Sequence, residues 1–123
     1  MALVVENLNH HALKIGLADK SIQNAVESRM RSARLYSNKP PSKTYLYVNI
    51  NVVGGAFNAK LSFRKPVNDP FTGELGTATT WTRAVTGTHG NSSGFILSSL
   101  SELIDEFLVD FLRVNDEECR KRK

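Results

Sequence analysis

The chain has one cysteine, one tryptophan, three histidines and four prolines among its 123 residues. With Cys119 alone, no intrachain disulfide can close and no cysteine-based metal site can be built. No apolar run approaches the ~18 residues a membrane-spanning helix needs. Residues 1–6 (MALVVE) have neither the basic start nor the long apolar stretch of a signal peptide. As the sequence stands, the expected compartment is the cytoplasm, or the bacterial envelope if a leader was removed. Nucleotide motifs are missing too, because Gly54-Gly55 is not followed by Lys-Ser/Thr. Internal repeats, low-complexity tracts and a Ser-His-Asp pattern are likewise absent. No metal and no cofactor is expected.

What is present is ordinary for a folded protein. Hydrophobic residues make up 41% and charged residues 23%, which sets aside disorder and coiled coil as whole-chain readings. The length suits a single core. We expect one α+β domain over residues 1–118 and a basic C-terminal tail over residues 119–123. The net charge is +4, and Arg120, Lys121, Arg122 and Lys123 account for all of it. The body is neutral but segregated. Ten basic and two acidic residues lie between Lys14 and Lys65, against two basic and nine acidic between Pro66 and Glu118. The simplest consequence is that the two segments pack together and neutralise each other.

Periodicity supplies the elements. Residues 3–8 read as a short strand. Ile22, Ala25, Val26, Met30 and Ala33 recur at helical spacing, with Asp19 or Ser21 placed to cap the helix. Asn38, Lys39, Pro40, Pro41 and Ser42 form the linker that follows. Residues 45–52 (YLYVNINV) then alternate strictly, as do residues 57–64 (FNAKLSFR), with Gly54-Gly55 between them. A Gly-Gly hairpin fixes the register: Val52 faces Phe57, Ile50 faces Ala59, Val48 faces Leu61 and Leu46 faces Phe63. The opposite face pairs Asn51 with Asn58, Asn49 with Lys60, Tyr47 with Ser62 and Tyr45 with Arg64. A slip by one residue would mix the faces. Residues 77–86 form a threonine-rich strand. Its faces read Thr79, Trp81, Arg83, Val85 or Ala78, Thr80, Thr82, Ala84, which leaves open the side that carries Trp81. Ile96, Leu100, Leu103, Ile104, Phe107, Leu108, Phe111 and Leu112 make the wide apolar stripe of a last helix. That helix is expected to end near residues 115–118.

The order β-α-β-β-β-α gives a two-layer α+β sandwich. Its four-stranded sheet is mostly antiparallel, with the first strand parallel to its neighbour and two helices on one face. The other face is uncovered, and there lie the candidate binding residues Tyr45, Tyr47, Asn49, Lys60 and Arg64, with Trp81 if its side is the same. Aromatic side chains beside cations give large contact area with little rotamer entropy lost. The first reading is therefore a non-enzymatic binding or assembly module, most simply a homodimer or other homo-oligomer. A second reading is a small-molecule binder or small enzyme built on Thr88 and His89, in an exposed glycine-flanked loop. A third is weak single-stranded nucleic-acid binding through the same sheet face. The neutral body argues against the third, since phosphate attraction needs net positive charge. No catalytic constellation is evident.

Several pieces of the chain also resemble a small, widespread bacterial family. They are VVENL (residues 4–8), Gly16-Leu17, IQNAVESRMR (residues 22–31), YLYVNINV (residues 45–52) and ATTW (residues 78–81). GTHG (residues 87–90), IDEF (residues 104–107) and Val114-Asn115 match as well. The resemblance implies a stand-alone α+β domain with no assigned activity. Many members of that family carry export signals, which residues 1–6 do not lead one to expect here, and similar reading frames occur in mobile gene cassettes.

Overall fold

The computed structural model describes residues 1–36, 44–90 and 92–121, with side chains described through Val114. The linker expected at residues 38–42 lies outside the described residues. The elements are β1 (Ala2–Val5), α1 (His10–Lys14), α2 (Asp19–Ser32), β2 (Tyr45–Val53), β3 (Ala56–Asn68), β4 (Leu75–Thr88) and α3 (Ser93–Lys121). They form the expected α+β architecture, with strand order β1-β2-β3-β4. β1 runs parallel to β2, and the other neighbours are antiparallel.

The β2–β3 hairpin adopts the expected register throughout, from Val53 opposite Ala56 to Tyr45 opposite Arg64. Gly54 sits at φ +59 in the first central position of the turn, where only glycine is unstrained. Leu46, Val48, Ile50, Val52, Phe57, Ala59 and Leu61 are all buried on the inner side. Against them α2 packs Ile22, Val26 and Met30, and α3 packs Ile96, Leu100, Leu103, Ile104 and Phe107. Phe63 and Phe111, on the same apolar faces, are only half-buried and line an opening between the sheet and the later turns of α3.

Three local features differ from expectation. The five-residue helix α1 is additional. Asn9 makes it possible: its Oδ1 accepts from the Ala12 N–H at 3.2 Å, while its Nδ2 donates to the Val52 carbonyl at 2.8 Å. α2 begins without a side-chain cap, since the cap position is Ala18 and Asp19 is the first helical residue. It closes on a Schellman turn, with Leu35 N–H donating to Met30 O at 2.8 Å and Arg34 at φ +60, where glycine is more usual. Lastly, α3 runs through residues 115–118 to Lys121 rather than stopping among them.

Candidate binding surface

With both long helices on one side, the other face of the sheet is uncovered. Alternation along β2 and β3 places Tyr45, Tyr47, Asn49, Lys60 and Arg64 on it, as their pairings require. The face is organised from within. Arg64 lays its guanidinium carbon 4.4 Å from the centre of the Tyr47 ring. The Tyr47 hydroxyl lies beside the Glu6 carboxylate, close enough for it to raise the Tyr47 pKa. Asn49 Nδ2 also donates to Glu6, and Asn51 Nδ2 donates to Asn49 Oδ1 at 3.0 Å. Beneath this layer Ser62 is buried, sharing a 3.2 Å hydrogen bond with Thr82. Arg64 Nε is shielded from water and has no hydrogen-bond partner among the described residues. Lys60 stands exposed opposite Asn49.

Partial burial raises the pKa of Tyr47, and the hydrogen bond to Glu6 and its negative charge add to the shift. The Arg64 cation opposes them without cancelling them. Glu6 is the member that sequence reasoning missed. It follows a parallel edge strand, whose register no turn fixes. The available signal was parity: Val4 stands opposite Tyr47, so Glu6, two residues on, falls beside Asn49 on the same face.

Trp81 does not belong to this face, which corrects one of the two arrangements left open above. It stands opposite Phe63 on the helix side. Its ring lies edge-on to Phe107 at 5.1 Å, and its Nε1 donates to Asp110 at 3.0 Å. The same parity turns Arg83 toward α3, where it reaches Glu106 at 3.8 Å. His89 departs from expectation as well. Rather than riding an exposed loop it is 3% exposed, with Nε2 2.7 Å from the Gly54 carbonyl and its backbone N–H donating to Gly55 O at 3.0 Å. The imidazole thus clasps the β2–β3 turn. Thr88 is exposed at the end of β4. His10 and His11 contact each other edge-on at the start of α1. Among the described residues, no cluster of His, Cys, Asp or Glu could hold a metal ion, and no helix is long and apolar enough to cross a membrane.

No protein-family model matches the chain, and no curated protein matches it in sequence. Among solved structures it is similar to a minor lipoprotein from Acinetobacter baumannii, at 12% identity over 87% of each chain, with a TM-score of 0.35. It is also similar to rare lipoprotein B from Shewanella oneidensis, at 8% identity over 98% of this chain and 99% of the other, with a TM-score of 0.37. So loose a likeness says nothing about what this chain does.

Proposed function

We propose that the protein is a non-enzymatic binding module whose contact surface is the uncovered sheet face, occupied most simply by a second copy of the chain. The supporting observation is the tied group Glu6, Tyr47, Asn49 and Arg64, flanked by Tyr45 and Lys60. A surface already held in one arrangement loses little side-chain entropy when covered, so more of its contact energy is kept as affinity. Aromatic and arginine side chains among hydrogen-bonding groups suit a wet, reversible interface. Glu6 at the β1 edge of the face weakens any attraction for phosphate there, which disfavours the nucleic-acid reading. The burial of His89 removes the exposed imidazole on which a loop-centred ligand site would depend.

Sedimentation of the full chain over a concentration series tests this. Tyr45→Ser/Tyr47→Ser should lower self-association by about tenfold or more while the far-ultraviolet dichroism keeps its shape. Because Tyr47 also holds Glu6, a second variant guards against a trivial loss of fold. Lys60→Glu changes an exposed side chain on the same face and should weaken association as well. Unchanged mass in both variants would refute the proposal.

A further inference from the structure

The β3–β4 hairpin outruns the sheet it belongs to. β2 starts at Tyr45, opposite Arg64, so residues 65–68 and 75–78 continue beyond it as a two-stranded arm. The tip is a rigid turn. Asp69 N–H donates to Glu74 O at 2.9 Å, Gly73 N–H to Asp69 O at 2.8 Å, and Phe71 N–H to Asp69 Oδ1 at 2.8 Å. This turn holds out Phe71, which is 98% exposed, with Leu75 close behind at 67%. A fully exposed phenylalanine on a hydrogen-bonded turn is a poor choice for a solitary molecule but a good anchor for a contact.

A matching receptor lies at the arm's other end. Between the base of the arm and α3 is an open cavity of about 510 Å³, lined by Phe63, Trp81, Phe107 and Phe111 with Lys65 and Thr80 beside them. It has ample room for a benzyl group. From Arg64 to Asp69 the arm spans about 17 Å at ~3.3 Å per residue. Two arms laid antiparallel along their free β4 edges therefore bring each tip to the other's base. With Thr77 opposite Ala78 of the second copy, Leu75 falls opposite its Thr80. In this arrangement Lys65 at the base faces the tip's Asp69 and Glu74, while the one carboxylate among the described residues lining the cavity, Asp110, is already engaged by Trp81 Nε1 and Arg113. Residues 75–80 have neither lysine nor proline to discourage edge pairing. At Thr80 the pairing of β3 with β4 shifts register, which ends the flat edge where the cavity begins.

We propose that two copies of the chain exchange arms, each seating its Phe71 in the aromatic cavity of the other and pairing the edges of β4. This contact is separate from the open sheet face. Trp81 is the only tryptophan and lines the cavity, so its emission reports docking directly. In the full-length protein, the emission should shift to shorter wavelength as concentration rises and sedimentation shows association. Phe71→Ser, an exposed substitution that spares the core, should abolish the shift and weaken this step about tenfold or more. Lys65→Glu should weaken it too, and Lys65→Glu/Glu74→Lys should restore it. Tyr45→Ser/Tyr47→Ser should leave the Trp81 response intact, which separates this contact from the sheet-face one. If Trp81 emission stays constant with concentration, or if its response survives Phe71→Ser, the exchange does not occur and the cavity serves another occupant.

Discussion

Glu6 shows how one side chain can convert a strand face into a surface with a fixed shape. It accepts from Asn49 and sits beside the Tyr47 phenol, whose ring is stacked under the Arg64 guanidinium, so its carboxylate acts on both neighbours. The raised pKa of Tyr47 is the measurable trace of that arrangement. The folded chain keeps this proton at a pH where the unfolded chain has lost it, around 10.0. The associated stability is complete below that pH and is lost as pH rises through the raised pKa. In Glu6→Gln the Tyr47 phenol should titrate at lower pH than in the wild type, as read by NMR of isotope-labelled tyrosine. Tyr36 is a built-in control, because its own elevation comes first from its hydrogen bond to Glu27. A Tyr47 titration unmoved by the substitution would show that Glu6 does not hold it. The faces of β2 and β3 were legible because each is of one chemical kind. Those of β4 were not, because Trp81 and Val85 share a side with Arg83, whose guanidinium reaches Glu106 across the layer and the Trp81 ring beside it. The position of His89 was equally hidden, since its partners are the carbonyls of a turn 35 residues away.

The elements differ in how much of their geometry is local. The β2–β3 hairpin was readable because two glycines set the turn and both faces punish a slip. α1 was not, since a single turn has too few positions for a periodic signal and depends on Asn9 bonding across to Val52. The end of α3 was misplaced because nothing in residues 115–118 breaks a helix outright, and the turn signals there are outweighed by propagation of an established helix. Packing concentrates on one residue of α3. Phe107 is buried and touches Trp81, Phe63 and Phe111 at ring separations of 5.1 to 5.4 Å. Phe107→Ala should therefore cost roughly 3–5 kcal/mol in denaturant unfolding. A loss below about 1 kcal/mol would mean that the neighbouring rings close over the gap and that the cavity beside them is deformable.

At the scale of the molecule, the two layers have different tasks. The helices bury one side of the sheet, and their own junction carries, among the described residues, the one direct pairing between the basic early segment and the acidic late one, Arg29 with Asp105 at 2.8 Å. Both partners are well exposed, so this bridge orients the helices more than it stabilises them. The rest of the charge segregation is not cancelled by such contacts among the described residues, which is why overall charge balance foretold so little of the surface chemistry. The central claim is that the uncovered layer is the contact surface. Hydroxyl-radical footprinting of dilute and concentrated protein tests it most directly, with sedimentation run on the same samples. Tyr45 and Tyr47 should become protected in step with association, while Leu13 and Val109, exposed on the helices, keep their reactivity. A protein that stays monomeric throughout, or one that associates while both tyrosines remain as reactive as in the dilute sample, would contradict the account.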